Sequence, residues 1–168
     1  APGVPDAGRP GPEGGPSPFS RGDSAGKISQ RWSASGIRCE RFSGLCPAWH
    51  VHSAFMAPGI LRTQLSRMPD GTTYLCVAST VRQSLGGFGS AHPLQAISLG
   101  CEISHAGHLV YGDSLDVNNA NAAVPIGITC RLCERMDCEQ RAFPPVHRKL
   151  GIDENVRGAS FYTPAMRD

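Results

Sequence analysis

The fold depends most on residues 60–81, which read ILRTQLSRMPDGTTYLCVASTV. Pro69-Asp70-Gly71 lies in the middle of this segment. It is typical of a tight turn, because proline presets one backbone angle and glycine tolerates the left-handed region. The residues after the turn are rich in Thr, Tyr and Val, which favour extended backbone. The segment therefore predicts a β-hairpin with arms at 60–67 and 72–81.

The remaining elements are predicted outward from this hairpin. Residues 94–103 are nearly apolar and predict a central strand that is covered on both faces. Turn and capping residues predict strands at 27–33, 37–42 and 159–162, a flexible loop at 86–89, and short helices at 46–56 and at 105–111, the last with Ser104 as its N-cap. Strands in hairpin order with a few short helices predict an α+β domain on an antiparallel sheet.

The composition indicates one globular domain after a linker. The chain has 168 residues, of which 40% are hydrophobic and 18% charged, and this is enough for one domain with a core. Residues 1–18 contain six prolines and five glycines. Residues 1–26 are therefore predicted to be a disordered linker, and residues 27–168 the folded domain. The net charge of +2 gives no electrostatic reason for this segment to bind DNA, and no apolar run is long enough to span a membrane.

The cysteines predict a metal site. Seven cysteines without a secretory signal indicate a reducing cytoplasmic compartment, where clustered thiols more often bind metals or act in redox chemistry than form disulfides. Cys130, Cys133 and Cys138 have C-x2-C-x4-C spacing. Thiolates at this spacing can turn toward one soft or borderline metal ion. The segment therefore predicts a cysteine-rich metal knuckle.

A closed metal site needs a fourth ligand, which the run itself does not supply. Cys101, at the end of the predicted central strand, is the first choice, and Cys46 and His105 are the alternatives. Zinc is the expected metal, with an iron–sulfur cluster as the alternative, because four thiolates can hold either. Reduced cysteines without metal, or a redox-active thiol pair, remain open as well.

Several sequence blocks occur in the order found in one protein family. They are QRWSA at 30–34, GLCPAWHV at 44–51, AFMAPG at 54–59, MPDG at 68–71, LGCEISHA at 99–106, HLVY at 108–111, and Ile126-Gly127 leading into the cysteine run and QRAFPP at 140–145. Over residues 27–164 the chain resembles the C-terminal domain of the short-chain fatty acyl-CoA regulator family. These are bacterial transcription regulators of the XRE helix-turn-helix type.

The resemblance implies a cytoplasmic sensor domain that performs no chemistry. Such a domain binds a short-chain acyl-CoA and controls DNA binding by an upstream helix-turn-helix domain that is absent from this chain. A homodimer is compatible with this role. Two other functions are kept as alternatives: a zinc-stabilised structural or dimerisation module, and a thiol- or metal-dependent thioesterase. No Gly-x-Ser-x-Gly or His-Glu-x-x-His motif favours the thioesterase, so no catalytic residue is assigned.

The resemblance also suggests which side chains bind the ligand. Three arginines of the cysteine run are expected to bind the phosphates of coenzyme A through charge-assisted hydrogen bonds, unless they pair with the acidic residues between them: Arg131, Arg135 and Arg141. Four ring-bearing residues are expected to line an acyl pocket, unless they are ordinary core: Trp49, His52, Phe55 and Tyr111.

Overall fold

A six-stranded sheet forms the frame of the molecule. The computed structural model describes residues 18–32, 44–82, 87, 89, 93–113, 115–147, 160 and 162. Along the chain the strands are β1 (Phe19–Gly22), β2 (Ile28–Trp32), β3 (Arg62–Arg67), β4 (Thr73–Arg82), β5 (Leu94–Glu102) and β6 (Val124–Pro125). Their order across the sheet is β2-β1-β5-β4-β3-β6, and all neighbours are antiparallel except β3 and β6. The predicted α+β class on an antiparallel sheet is confirmed.

The β3–β4 hairpin has the predicted turn. The N–H of Met68 donates to the carbonyl of Thr72 over 2.8 Å, and the carbonyl of Met68 accepts from the N–H of Gly71 over 3.0 Å. The carboxylate of Asp70 accepts from the N–H of Thr72 at 2.9 Å. Gly71 has a φ of +90°, which glycine adopts without a steric penalty. The local turn residues therefore fix the register of the two arms.

β5 is the central strand, as its apolar sequence predicts. It pairs with β4 from Leu94, opposite Arg82, to Glu102, opposite Tyr74. Its other edge pairs with β1. Both rows of backbone hydrogen-bonding groups are thereby used, which is the condition for a buried strand.

β1 lies inside the segment that the sequence assigns to the linker, so the predicted domain start at residue 27 is wrong. Phe19–Gly22 pairs with β5 on one side and with β2 on the other. The carbonyl of Pro18 also accepts from the N–H of Gly100 over 3.0 Å. A proline- and glycine-rich stretch has little strand propensity of its own. Pairing with β5, which is distant in sequence, stabilises the extended form of β1.

The helical elements are short. α1 comprises His50–Ala54 and lies within the helix predicted at 46–56. The helix predicted at 105–111 is wrong: Ile103–His108 and Val110–Gly112 form two 3₁₀ helices, and a third follows at Ala120–Ala122. Glu102, and not Ser104, is the N-cap residue of the first 3₁₀ helix. Glycine within this stretch disfavours a continuous α-helix, and 3₁₀ turns are then the common outcome.

Three sequence predictions fall wholly or partly outside the described residues, namely the strands at 37–42 and 159–162 and the loop at 86–89. Among the residues that are described, no helix is both long and apolar enough to cross a membrane.

The sheet has a buried core on each face. Side chains alternate along a strand, so Tyr74 of β4 lies in one core and Leu75 in the other. The first core also contains Trp49, beside α1, and we call this side of the sheet the α1 face. The second core contains Ala106 of the 3₁₀ helix Ile103–His108, and we call this side the 3₁₀ face.

Candidate functional site

The three cysteines of the run lie in an irregular loop beside the edge of the sheet, which we call the cysteine loop (residues 129–141). The chain enters it from β6, the edge strand next to β3. The N–H of Ile126 donates to the carbonyl of Arg67 over 2.9 Å, and the same carbonyl accepts from Arg135 Nη2 at 3.3 Å. Arg67, the last residue of β3, therefore bonds both to the residue that follows β6 and to Arg135 within the loop. Two of the thiols are buried, Cys130 and Cys133, and Cys138 is half-buried.

Arg141 holds the cysteine loop together from inside. Its side chain is only 4% exposed. Nη1 donates to the carbonyl of Cys130 at 2.9 Å, and Nη2 donates to the carbonyl of Cys133 at 3.0 Å and to that of Arg135. The hydroxyl of Ser160 donates to the Arg141 carbonyl over 2.6 Å. The expectation that Arg141 binds a ligand phosphate is therefore wrong, because its guanidinium is already used by buried backbone carbonyls.

Cys46 is the cysteine that the fold brings to the loop. Burial raises the pKa of the Cys46 thiol, and the nearby Cys130 and Cys138 raise it further by like-charge repulsion. Hydrogen bonds from backbone N–H groups, first that of Gly127, act in the opposite direction. A Cβ built at Gly127 would lie 2.9 Å from the Cys133 sulfur. Cys46 thus has Cys130 and Cys138 near it and a hydrogen bond from Gly127, a position where a side chain would collide with Cys133.

Cys101, the first choice for the fourth ligand, lies on the opposite side of the sheet. It is paired in register with Leu75, and both belong to the core of the 3₁₀ face. Cys46 belongs to the core of the α1 face. Burial alone raises the pKa of Cys101, with no contribution from another cysteine. His105, the other alternative, belongs to the 3₁₀ helix whose Ala106 packs on the same face as Cys101.

The thiols lie near one another but do not converge on a common position for a metal ion. Within the part of the chain that the structure describes, no three Cys, His, Asp or Glu side chains are arranged to hold a metal ion. The metal knuckle predicted from the spacing is therefore not seen as a formed site among the described residues. The structure places Cys46, and not Cys101, beside the cysteine loop.

The other two arginines differ in exposure. Arg135 is half-buried, and its Nε is buried without a hydrogen-bond partner among the described residues. Arg131 is exposed, and its guanidinium carbon lies 4.9 Å from the centroid of the Phe143 ring. A guanidinium stacked on a ring keeps the N–H groups at its edge available for an anion. Of the three arginines proposed for phosphate binding, Arg131 is thus the one that faces solvent.

The aromatic residues do not form a common acyl pocket. Trp49 is buried in the core of the α1 face, and Phe55 packs against the same core. Tyr111 is 43% exposed and belongs to the 3₁₀ helix Val110–Gly112, which contacts the 3₁₀ helix before it. His52 is half-buried beside Gly26. The core interpretation of Trp49 and Phe55 is therefore the correct one, and Tyr111 is separated from them by the sheet.

A small cleft opens on the outside of the cysteine loop. Its volume is about 180 Å³, and its lining consists of Arg131, Leu132, Cys133, Glu134, Pro145 and His147. The N–H of Val146 donates to the carbonyl of Arg131 over 2.8 Å and joins the two walls. The cleft therefore combines cationic, acidic and apolar groups next to the gathered thiols, a feature that sequence spacing alone did not indicate.

His50 is a buried titratable group on the α1 face. Its Nε2 lies 3.4 Å from the hydroxyl oxygen of Ser98, and its backbone N–H donates to the side chain of Gln64 over 2.7 Å. Burial lowers the pKa of His50 to about 4, because the charged ring loses its hydration. The neighbouring Val77 backbone and Gln64 side chain offset this effect on the pKa in part. The ring is therefore neutral in the folded chain at neutral pH.

The burial of His50 predicts that the folded chain loses stability in mild acid. The pKa of His50 is about 4 in the folded chain against 6.5 for an unperturbed histidine, so the unfolded chain binds the proton more readily between these values. The stabilisation is complete above pH 6.5 and is lost as the pH falls toward 4. The difference between the two pKa values corresponds to about 3 kcal/mol in the free energy of unfolding. Urea unfolding at a series of pH values between 7 and 4 measures this loss of stability.

His50→Gln should flatten this pH dependence, whereas the exposed His108→Gln should leave it unchanged. An equally steep loss of stability in both variants would show that other groups cause it.

Comparison with solved structures places this arrangement among bacterial regulators. The chain superposes on a protein titled Mycobacterium tuberculosis transcriptional regulator with a TM-score of 0.80 and 40% identity, over 90% of this chain and 46% of that one. The class that the sheet and the cysteine loop define is thus an α+β domain found in transcription regulators. By sequence, the chain belongs to the family described as short-chain fatty acyl coenzyme A regulator, C-terminal, whose model matches residues 7–162. The resemblance inferred from the sequence blocks is confirmed.

The curated relatives are longer proteins. A propionyl-CoA carboxylase regulator of Cereibacter sphaeroides is 45% identical over 150 residues, which are 89% of this chain and 32% of the relative. The HTH-type transcriptional regulators RamB and PrpR of Mycobacterium tuberculosis are 44% and 39% identical, each over 92% of this chain. They are covered to 33% and 32% of their own lengths. The chain therefore spans about a third of the length of these relatives.

Proposed function

We propose that this chain is the sensor domain of a bacterial transcription regulator and binds a short-chain acyl-CoA. The observation that supports it is the family match over residues 7–162, since the family is described by this ligand class. The name of the Cereibacter sphaeroides relative, a propionyl-CoA carboxylase regulator, points in the same direction. Ligand binding to this domain would control a DNA-binding domain elsewhere in the full protein, as expected for relatives named HTH-type regulators.

The proposal predicts direct binding of acyl-CoA without turnover. Titration calorimetry with propionyl-CoA, acetyl-CoA and free coenzyme A should give saturable heat for each, with propionate as the control that lacks the nucleotide. Each methylene in an apolar pocket is worth about 1–3 kcal/mol, so selection between acetyl and propionyl should be modest. Absence of heat and of a thermal shift with all three thioester and thiol ligands would refute the sensor. Steady release of free thiol would favour the thioesterase instead.

We also infer that the gathered cysteines bind a metal, with Cys46 and the cysteines of the loop as ligands. Four thiols suit zinc or an iron–sulfur cluster, and a thiolate site of this kind carries excess negative charge. Two buried nitrogen atoms of the loop support the fit: the Nε atoms of Arg135 and Arg141 have no hydrogen-bond partner among the described residues. Thiolate sulfur would accept from such donors. Closure on the ion requires the thiol side chains to adjust from the arrangement described here.

A zinc-stabilised structural module remains the second candidate, and the cysteine cluster is the observation that favours it. Metal content and acyl-CoA binding are separate measurements. A chain that contains metal and binds none of the thioesters would be such a module.

A further inference from the structure

We propose that the open part of the 3₁₀ face is the surface through which two copies of this chain form a symmetric dimer. The burial of β5 alternates along the strand. Ala96 and Ser98 are buried on the α1 face, whereas Ile97 and Leu99, on the 3₁₀ face, are only half-buried. Among the described residues, the core of the 3₁₀ face includes β5 only at Cys101. The rest of β5 on this face therefore lies outside the core.

An apolar row crosses four strands of this open part. Phe19 of β1 pairs with Trp32 of β2 on one side and with Leu99 of β5 on the other. Leu99 in turn pairs with Val77 of β4. Paired residues of an antiparallel sheet lie on the same face, so all four side chains are on the 3₁₀ face. Trp32 is 37% exposed, the other three are half-buried, and none of the four belongs to either core of the described residues.

The extent of the open part suits a protein interface. On β4 it includes Val77, Ser79 and Val81, which alternate with residues of the α1 face. With strands about 4.8 Å apart and residues of one face about 6.7 Å apart, four strands by three residues cover about 400 Å² in plan. Projecting side chains present more accessible surface than this plan, and a stable interface buries about 800 Å² on each partner. A monomer rarely leaves so large an apolar patch exposed.

The charge on the open part favours a second copy and sets its orientation. Among the described residues, Arg21 is the one charged side chain that the strands place there, and it shares a row with Ile97 and Ser79. If the two-fold axis runs along β5, β1 of one copy lies over β4 of the other. Arg21 then meets the hydroxyl of Ser79, which can accept a hydrogen bond. An axis across the strands would instead bring Arg21 near its own copy, and like charges repel.

The same axis matches the apolar row with itself. Leu99 meets Leu99 of the second copy, and Phe19 meets Val77. The net charge of +2 gives little long-range repulsion between copies. Helix-turn-helix proteins commonly bind two half-sites as dimers, so this contact would also pair the DNA-binding domains of a full-length regulator. That consequence rests on the proposed function, whereas the interface itself does not.

Sedimentation velocity over a range of concentrations should show a dimer that dissociates on dilution. The two tryptophans of the chain provide an independent probe. Trp32 is 37% exposed and should become protected from acrylamide quenching as the dimer forms. Trp49 is 8% exposed in the core of the α1 face and should be protected at every concentration.

Ile97→Lys places a charge at the centre of the interface, and the two-fold axis repeats it in each dimer. The dissociation constant should rise by about a hundredfold or more. Val81→Lys lies at the margin of the same face and should raise it by about tenfold, a result that remains available if Ile97→Lys folds poorly. Val110→Lys is the matched control, because Val110 is 80% exposed on the 3₁₀ helix Val110–Gly112 and should not affect the dimer.

A chain that stays monomeric at every concentration would overturn the proposal. So would a dimer that neither Ile97→Lys nor Val81→Lys weakens and in which Trp32 stays open to acrylamide, because that dimer uses another surface. Equal weakening by Val81→Lys and Val110→Lys would reduce the effect to added charge and overturn it as well. Binding of propionyl-CoA is measured separately: a monomer that binds it keeps the proposed function, and a dimer that does not keeps the interface alone.

Discussion

Replacement of Arg141 by Met should lower the free energy of unfolding by about 3 kcal/mol or more, although no ligand contact is removed. The guanidinium donates to the carbonyls of Cys130, Cys133 and Arg135 from a buried position. Methionine fills much of the same volume but donates nothing, so buried carbonyls lose their partners. Each unsatisfied buried group costs about 1–3 kcal/mol, and removal of the buried charge returns part of that cost.

Chemical denaturation of the purified chain measures this loss, and two comparisons make it specific. Arg141→Lys keeps the charge, but a single ammonium does not reproduce a planar fork that reaches several carbonyls, so it should recover only part of the stability. Arg62→Met changes an exposed arginine and should stay within about 0.5 kcal/mol of the unmodified chain.

The loop itself provides a second measurement, which remains useful if Arg141→Met is poorly folded. In Arg141→Lys the thiols of Cys130 and Cys133 should react faster with a labelling reagent, because their backbone is less firmly held. Unchanged stability and unchanged labelling in both Arg141 variants would contradict the structural role assigned to this residue.

The parts of the fold that the sequence predicted are those with local causes. The β3–β4 hairpin follows from Pro69-Asp70-Gly71, whose hydrogen bonds are made within the turn. β5 follows from its own apolar composition. β1 was missed because its extended form comes from pairing with β5, far away in sequence, and its proline- and glycine-rich surroundings indicate a linker. Long-range pairing leaves no signature in a short window of sequence.

The candidate site shows the same limit. The C-x2-C-x4-C spacing identified three cysteines, but the fourth depends on which face of the sheet each remaining cysteine occupies. Strand alternation places Cys101 and Ala96 on opposite faces of β5, yet nothing in the sequence states on which face the cysteine loop lies. The arginines show it as well: all three lie in one run of the sequence, yet Arg141 is buried inside the loop and Arg131 is exposed. Burial, which separates these roles, is a property of the assembled fold.

Cys46→Ser should abolish metal binding by the chain, whereas Cys101→Ser should preserve it. Cys46 lies beside the loop cysteines, and Cys101 lies in the core of the 3₁₀ face. The two cysteines are matched in burial, with exposed fractions of 5% and 3%, so the general cost of placing a hydroxyl in the interior is similar in both variants. Serine oxygen is a poor ligand for a metal that prefers thiolate, so the proposed site would lose one of its four ligands.

Elemental analysis of each chain, purified without oxygen, gives the metal content, and an absorption spectrum separates zinc from an iron–sulfur cluster. A closed thiolate site contributes its binding free energy to folding. A strong chelator should therefore lower the Tm of the unmodified chain and of Cys101→Ser, and should have no effect on Cys46→Ser. Loss of metal in Cys101→Ser with retention in Cys46→Ser would restore the ligand set first predicted from the sequence. An unmodified chain that contains no metal, and whose Tm the chelator does not change, would remove the metal site altogether and leave the cluster as buried reduced thiols.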